Sequence, residues 1–130
     1  MISGKRKSAI ARATIQKGKG KVTVNNMPVE EYTQPMYALK IREPLLLLPD
    51  LAKKVDIRIT VRGGGMNGQA EAVRLAIGKA LLAHSKNDAQ VEKTLEDYDR
   101  TLLVADVRRK ENRKPNTRGH ARAKVQKSYR

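Results

Sequence analysis

One periodicity gives way to another across a cluster of glycines between residues 55 and 84, and this stretch constrains the chain most. In "VDIRITV", residues 55–61, Val55, Ile57, Ile59 and Val61 share one face while Asp56, Arg58 and Thr60 share the other. That alternation is the mark of a half-buried strand. From residue 69 to 84, Val73, Ile77, Ala80, Leu81 and His84 recur at three- and four-residue steps. This is the apolar stripe of an amphipathic helix. Between the two stand Gly63, Gly64, Gly65 and Gly68, so the unit reads strand, glycine turn, helix.

Gly63, Gly65 and Gly68 fit G-x-G-x-x-G, the outline of a dinucleotide-binding turn. The outline lacks its second half. A Rossmann unit needs another strand ending in an acid about 20 residues on. Here Asp88 opens the helix-like "DAQVEKTLEDY". The P-loop alternative fails because Gln69 and Ala70 stand where Lys and Ser/Thr are required. Two readings stay open. The glycines either permit a tight strand-to-helix crossing, or they let backbone N–H groups at a helix start approach a phosphate. In the second case Arg58, Arg62 and Arg74 lie near enough to supply countercharge.

Elsewhere the elements are shorter. Residues 8–16 alternate in the strand manner, "KGKGK" makes a glycine turn, and residues 22–25 form a second strand, together predicting an antiparallel hairpin. "PMYALKIRE" is expected to be a short helix begun by Pro35 and ended by Pro44. A further helix is expected over residues 88–98, capped by Asn87 with Gln90 three residues on. Residues 101–107 read as one more strand.

The charge then changes character. Twenty-eight Lys and Arg face 13 Asp and Glu, a net +15 that costs a compact fold stability unless a polyanion neutralises it. Residues 108–130 hold ten of the cations and one acid, Glu111. They cannot bury a core and are expected to be disordered when free. Fully extended, such a tail spans roughly 75 Å. Residues 1–107 still carry 18 basic and 12 acidic residues, so the globular part should also sit on nucleic acid. The chain is therefore divided into a globular domain, 1–107, and a basic extended tail, 108–130.

Other chemistry is sparse. There is no Cys, Phe or Trp and there are two His, so neither a metal centre nor a disulfide is expected, and Ile, Leu, Val, Ala and Met must fill the core. "EDYD", residues 96–99, is a candidate cation site, more simply read as a solvated helix end or a partner for nearby arginines. No apolar run approaches the roughly 20 residues that cross a bilayer. The basic, acid-poor start is also a property of organellar transit peptides, but the strand-like alternation of residues 8–16 speaks against one.

Four segments, in order and spread over the whole chain, resemble one family. They are "GKRKSAIARATI", "VRGGGMNGQAEAVRLAIGKALL", "DRTLLVADVRRKE" and "ARAKVQKSYR". Jointly they are similar to the S-nine family of small-subunit ribosomal proteins. The ending Lys127-Ser128-Tyr129-Arg130 resembles the archaeal and eukaryotic branch, and the lack of a long amino-terminal extension favours an archaeal origin. Val107 stands where that branch commonly has Pro, and Val125 where an aromatic is usual. These departures bear on a tight turn or a stacking contact at those points, not on the family.

The resemblance implies an α/β (α+β) two-layer sandwich of a small mixed sheet and helices with a left-handed β-α-β crossover, plus the extended tail. It implies a non-enzymatic, cytoplasmic constituent of the small-subunit head, with no cofactor, membrane or small-molecule substrate. Its partners would be small-subunit rRNA, neighbouring head proteins and P-site tRNA. On the globular part, the candidate rRNA contacts are Lys5, Arg6, Lys7, Arg12, Arg62, Gly63, Gly64, Gly65, Asn67, Gln69 and Arg74. Along the tail they are Arg108, Arg109, Lys110, Arg113, Lys114, Arg118, Arg122 and Lys124. The tip, Lys127, Ser128, Tyr129 and Arg130, would approach the anticodon stem-loop. Two readings from other classes compete: a free-standing architectural protein coating DNA or RNA, and a nucleotide-dependent enzyme built on the glycine turn.

Overall fold

The computed structural model describes residues 1–86, 88–116 and 121–122. Five strands form one mixed sheet: β1 (Ile2–Arg6), β2 (Ala9–Lys17), β3 (Val22–Val24), β4 (Met27–Pro28) and β5 (Val55–Arg62), in the order β1-β2-β5-β3-β4. Among the described residues five helices accompany them: α1 (Val29–Tyr32), α2 (Pro35–Leu47), α3 (Pro49–Ala52), α4 (Met66–His84) and α5 (Ala89–Tyr98). A 3-10 turn, Arg100–Leu102, follows.

The expected alternation in β5 is realised in full. Val55, Ile57, Ile59 and Val61 are buried, while Arg58, Thr60 and Arg62 are exposed. On β2, Ala11 stands opposite Val61, Ala13 opposite Ile59 and Ile15 opposite Ile57, and Ala9, Ala11 and Ala13 are all buried. On β1, Gly4 is so close to α4 that a Cβ there would lie 2.5 Å from the Ala72 carbonyl oxygen. A seat of alanines and one glycine lets the helix settle close to the sheet, so Val73, Ile77 and Leu81 reach the core without large aromatics to bridge a gap. Dense packing, not bulk, supplies the dispersion contacts.

Helix α4 begins at Met66, three residues before the expected start, and is buried over more than one stripe. Ala70, Ala72, Leu75 and Ala76 are also inside, because strands, α2 and the 3-10 turn all pack against it.

Four expectations need correcting. Strands β2 and β3 are not a hairpin, because β5 lies between them, antiparallel to β2 and parallel to β3. The "KGKGK" loop instead bridges the start of β5: Gly18 N–H donates to Lys54 O at 2.9 Å and Gly20 N–H to Val55 O at 3.0 Å. The true hairpin there joins β3 to β4 through Asn25 and Asn26, both at positive φ, the geometry favoured by two-residue turns.

Pro44 does not end α2, which continues to Leu47 with Pro44 fully buried inside it. The missing N–H removes one helical hydrogen bond, and burial of the ring offsets that loss; Pro49 opens the next short helix instead.

Residues 101–107 are not a strand. Leu102 turns into the core while Val104 and Val107 face outward, so their side chains do not alternate on a sheet. The cap of α5 is Asp88, whose carboxylate accepts from Gln90 N–H at 3.0 Å; Asn87 lies outside the described residues.

Candidate nucleic-acid interface

Because one face of each strand is buried, the other collects the polar residues. Across the outer sheet face the register sets Arg12 opposite Thr60, Thr14 opposite Arg58, Ile10 opposite Arg62, and Lys5 opposite Ile10. Among the described residues no helix covers this side. A shallow groove runs over it, bordered by Met1, Ser8, Ile10, Arg12, Thr14, Arg58, Thr60, Arg62 and Gly63.

Asp56 is the one acid in the five strands, and it is already occupied. Its Oδ1 accepts from the backbone N–H groups of Lys19 and Lys21, each at 2.9 Å. Those bonds, Lys21 first, hold its carboxyl below the usual carboxylate range. Among the described residues Arg12, Arg58 and Arg62 meet no carboxylate. Crowded guanidinium groups on an open face, with hydroxyls between them, form a surface whose missing counterion is an anion.

The glycine turn sits at the rim of this groove, and the structure divides its residues between the two open readings. Gly63 has φ +78°, and a Cβ there would lie 2.6 Å from Ser8 O; Gly64 has φ +68°, with a Cβ 2.9 Å from that of Ala9. Both are required by the tight crossing over the β1–β2 turn. Gly65 has φ −96° and open space around it, so packing does not explain its lack of a side chain.

Among the described residues no side chain caps α4, leaving its first N–H groups open to an anion. Gln69 staples the turn: Nε2 donates to Gly63 O at 3.0 Å, and Oε1 accepts from the Tyr32 hydroxyl at 2.5 Å. Asn67 accepts from Lys40 Nζ at 2.9 Å.

Two other expected contact residues are turned inward. Arg6 is ion-paired to Glu71 and Asp106, its side chain 16% exposed. Arg74, 11% exposed, pairs with Glu43 at 2.7 Å and Asp99 at 3.0 Å, and reaches Thr101 Oγ1 at 3.0 Å. These networks tie α2, α4 and β1 to the root of the tail. They also give Asp99 of "EDYD" a structural partner.

Asp106 also receives Arg108 through Nη2 at 2.8 Å and the backbone N–H at 2.8 Å, and this pairing, with Arg6 adding to it, holds its carboxyl far below normal. Arg109 donates to Asp106 O and Arg108 O. Farther on, Lys114 and Arg122 both reach Glu111, at 3.2 and 2.5 Å. Lys5, Lys7, Lys110 and Arg113 are exposed. Arg118, Lys124, Val125, Lys127, Ser128, Tyr129 and Arg130 lie outside the described residues.

Arg58 is the residue that sequence reasoning set beside the turn but left out of the contact set. Its signal was available, since the alternation that buries Ile57 and Ile59 must expose Arg58 beside Arg62.

The family model for ribosomal protein S9/S16 matches residues 4–130. The chain belongs to this family. Ribosomal S9/S16 relatives span nearly the whole sequence. The small ribosomal subunit protein uS9 of Thermoplasma acidophilum is 53% identical over 130 residues, covering 100% of this chain and 99% of the relative. Its namesake in Desulfurococcus amylolyticus is 50% identical over 128 residues, covering 98% and 90%. That of Methanothrix thermoacetophila is 44% identical over 128 residues, covering 98% and 96%. These archaeal relatives agree with the branch suggested by the carboxyl-terminal residues, and S9/S16 proteins are structural components, not enzymes.

Proposed function

We propose that this chain is a non-catalytic constituent of the small ribosomal subunit that holds rRNA against the outer face of its sheet. The supporting observation is the trio Arg12, Arg58 and Arg62, uncovered and without carboxylates among the described residues. Thr14, Thr60 and Ser8 offer hydroxyls between them, and Gly63, Gly64 and Gly65 bring backbone within reach of the same strand of phosphates. Contacts of this kind position RNA without reading its bases. Lys5 and Lys7 extend the surface. Arg6, Arg74, Gln69 and Asn67 act one step back, holding the turn and the tail root in place. As a ribosomal protein the chain works in the cytoplasm, and no helix among the described residues is long and apolar enough to cross a membrane.

Residues 1–107 are the globular unit in this reading, and residues 108–130 an RNA-threading tail. Arg108, Arg109, Lys110, Arg113, Lys114, Arg118, Arg122 and Lys124 line the RNA path, their counterions displaced by phosphates. Lys127, Ser128, Tyr129 and Arg130 would grip the backbone of the P-site tRNA anticodon stem-loop, a grip blind to sequence and so usable with every tRNA.

Two measurements test the two parts. Small subunits carrying Arg12, Arg58 and Arg62 all changed to Gln should retain the protein poorly through a moderate salt wash; undiminished retention removes the sheet face from the reading. Subunits whose chain lacks residues 127–130 should assemble but hold P-site tRNA more weakly as Mg²⁺ is lowered. Normal occupancy removes the tip.

A further inference from the structure

The glycine turn stands at one end of β5, beyond Arg62. Five lysines gather at the other end. Lys17 closes β2, Lys19 and Lys21 lie in the loop before β3, and Lys53 and Lys54 lie in the turn before β5. All five are exposed, and none meets a carboxylate among the described residues. From Val55 to Arg62 the two ends stand roughly 23 Å apart, at about 3.3 Å per residue.

The backbone assembles this cluster. The N–H groups of Gly18 and Gly20 donate to Lys54 O and Val55 O, and Ile57 N–H donates to Lys21 O at 2.9 Å. A Cβ on Gly18 would collide with the Asp56 carboxylate, and Gly20 has φ +97° with a Cβ position 3.3 Å from Ala52 O. Glycine therefore lets the loop lie against residues 52–56. Asp56 gathers the lysines without pairing with them, because its carboxylate meets the main-chain amides of Lys19 and Lys21 and not their ammonium groups. Asp50, in the first turn of α3, pairs with none of the five either. Like charges fixed side by side repel, and a phosphate backbone removes that repulsion.

The directions of the five lysines select the ligand. Lys21 borders the outer sheet face with Gln16, Thr23 and Arg58. Lys19 and Lys53 border a groove on the helical side, together with Val22, Leu45, Leu46 and Pro49. The charges thus wrap around the end of the sheet. An acidic protein segment seated in the apolar groove would answer Lys19 and Lys53 but leave Lys17, Lys21 and Lys54 unanswered. A bilayer is flat and does not follow charges from one side of a sheet to the other. A nucleic-acid backbone bends and carries a charge at every nucleotide, so it follows all five. Ammonium groups on flexible stems grip it as point charges, without the forked geometry of the arginines.

We infer that the lysine cluster is a second RNA-backbone site, occupied by a segment of rRNA separate from the one held against the arginine face. RNA lying along the outer face reaches Lys21 but not Lys19 and Lys53 around the end. Asp56 also sets a negative charge between Arg58 and the lysines, which divides the cationic surface in two. The chain then ties two stretches of RNA together at a fixed separation. This inference rests on the proposed ribosomal role and adds a second contact and a bridging purpose to it.

The absence of cysteine from the chain makes the test clean. Lys19→Cys and, on the arginine face, Thr60→Cys are introduced separately in the full chain; both positions are exposed. Each is tethered to an iron chelate and assembled into small subunits. Hydroxyl radicals generated at the tether should cut rRNA from both positions, in two stretches that do not overlap. In a companion measurement, small-subunit rRNA is titrated with the free chain across a salt series. Changing Lys17, Lys19, Lys21, Lys53 and Lys54 to Gln should flatten log affinity against log salt by about one per lysine engaged. That flattening should add to the one produced by changing Arg12, Arg58 and Arg62. Main-chain bonds hold the loop, so the far-ultraviolet circular dichroism of the lysine variant should match that of the natural chain.

Cutting from position 60 but not from position 19 overturns the second site and leaves the proposed function standing. So does cutting of one shared stretch from both positions, or a lysine variant with the natural salt slope. Absence of cutting from position 60 overturns the proposed role of the sheet face itself, whatever position 19 shows.

Discussion

Gly78 of α4 lies directly beneath Leu102, close enough that a Cβ on Gly78 would be 2.4 Å from the Leu102 carbonyl oxygen. This contact seats the 3-10 turn on the long helix and so sets where the tail root leaves the domain. In an ordinary helix interior Gly→Ala gains up to about 1 kcal/mol. Here the neighbour is backbone and cannot swing aside, and overpacking of that kind costs about 1–3 kcal/mol. Gly78→Ala should therefore be destabilising, read as a lowered urea midpoint. A variant at least as stable as the natural chain would show that the turn can lift off α4 freely.

The glycine turn should separate by position. Gly63→Ala and Gly64→Ala place a Cβ at positive φ against Ser8 and Ala9, and each should lose about 1–3 kcal/mol of stability. Gly65→Ala should stay within about 0.5 kcal/mol. If the backbone at Gly65 lies against phosphate, that same variant should bind rRNA more weakly. Unaltered RNA affinity would leave the glycine turn with a purely steric purpose.

The arginines should fall into two groups. Arg12→Ala, Arg58→Ala and Arg62→Ala should leave the thermal midpoint nearly unchanged while flattening the dependence of log affinity on log salt by about one per arginine. Arg6→Ala leaves Glu71 with Lys40 and Asp106 with Arg108 as their remaining partners, and should cost about 1 kcal/mol of stability with a smaller effect on the salt slope. Filter binding to a small-subunit rRNA fragment across a salt series, paired with thermal melts, reads both. Equal slope changes for Arg6 and Arg58 would contradict the division.

Acid should loosen the bridge over β5. The Asp56 carboxyl is held below its ordinary value by the Lys21 and Lys19 amides, and that of Asp106 by Arg108. A pKa lowered on folding gives stability that is fully present above the unfolded value of about 3.9 and is lost as pH falls toward the folded value. The urea midpoint should thus drop below about pH 4, and Asp56→Asn should show a shallower drop. Parallel curves for variant and natural chain would mean that the two amide bonds add nothing.

Periodic stretches were legible in the sequence, and pairing partners were not. Residues 55–61 announced their buried face because alternation is a local property, and Arg58 and Arg62 could be placed on the outer face from it. The β2–β3 hairpin was misread because nothing in "KGKGK" says that a strand 34 residues beyond Lys21 will occupy the space between its arms. Pro44 looked like a stop since its missing N–H is written in the sequence, whereas the burial that compensates is not. Arg6 and Arg74 read as free cations for the same reason: Glu71, Asp106, Glu43 and Asp99 come to them only through the tertiary fold.

The strand order has a bearing on how the molecule is born. The middle strand of the sheet, β5, is the last of the five to leave a translating ribosome. Its neighbours β2 and β3 have no partner in one another, so the β1–β2 and β3–β4 ribbons emerge with an edge each held open for it. Isolated two-stranded ribbons are marginal in water. Cooperative folding must therefore wait for residue 62, and the seat for α4 exists only from that moment, a timing built into topology and independent of any binding partner.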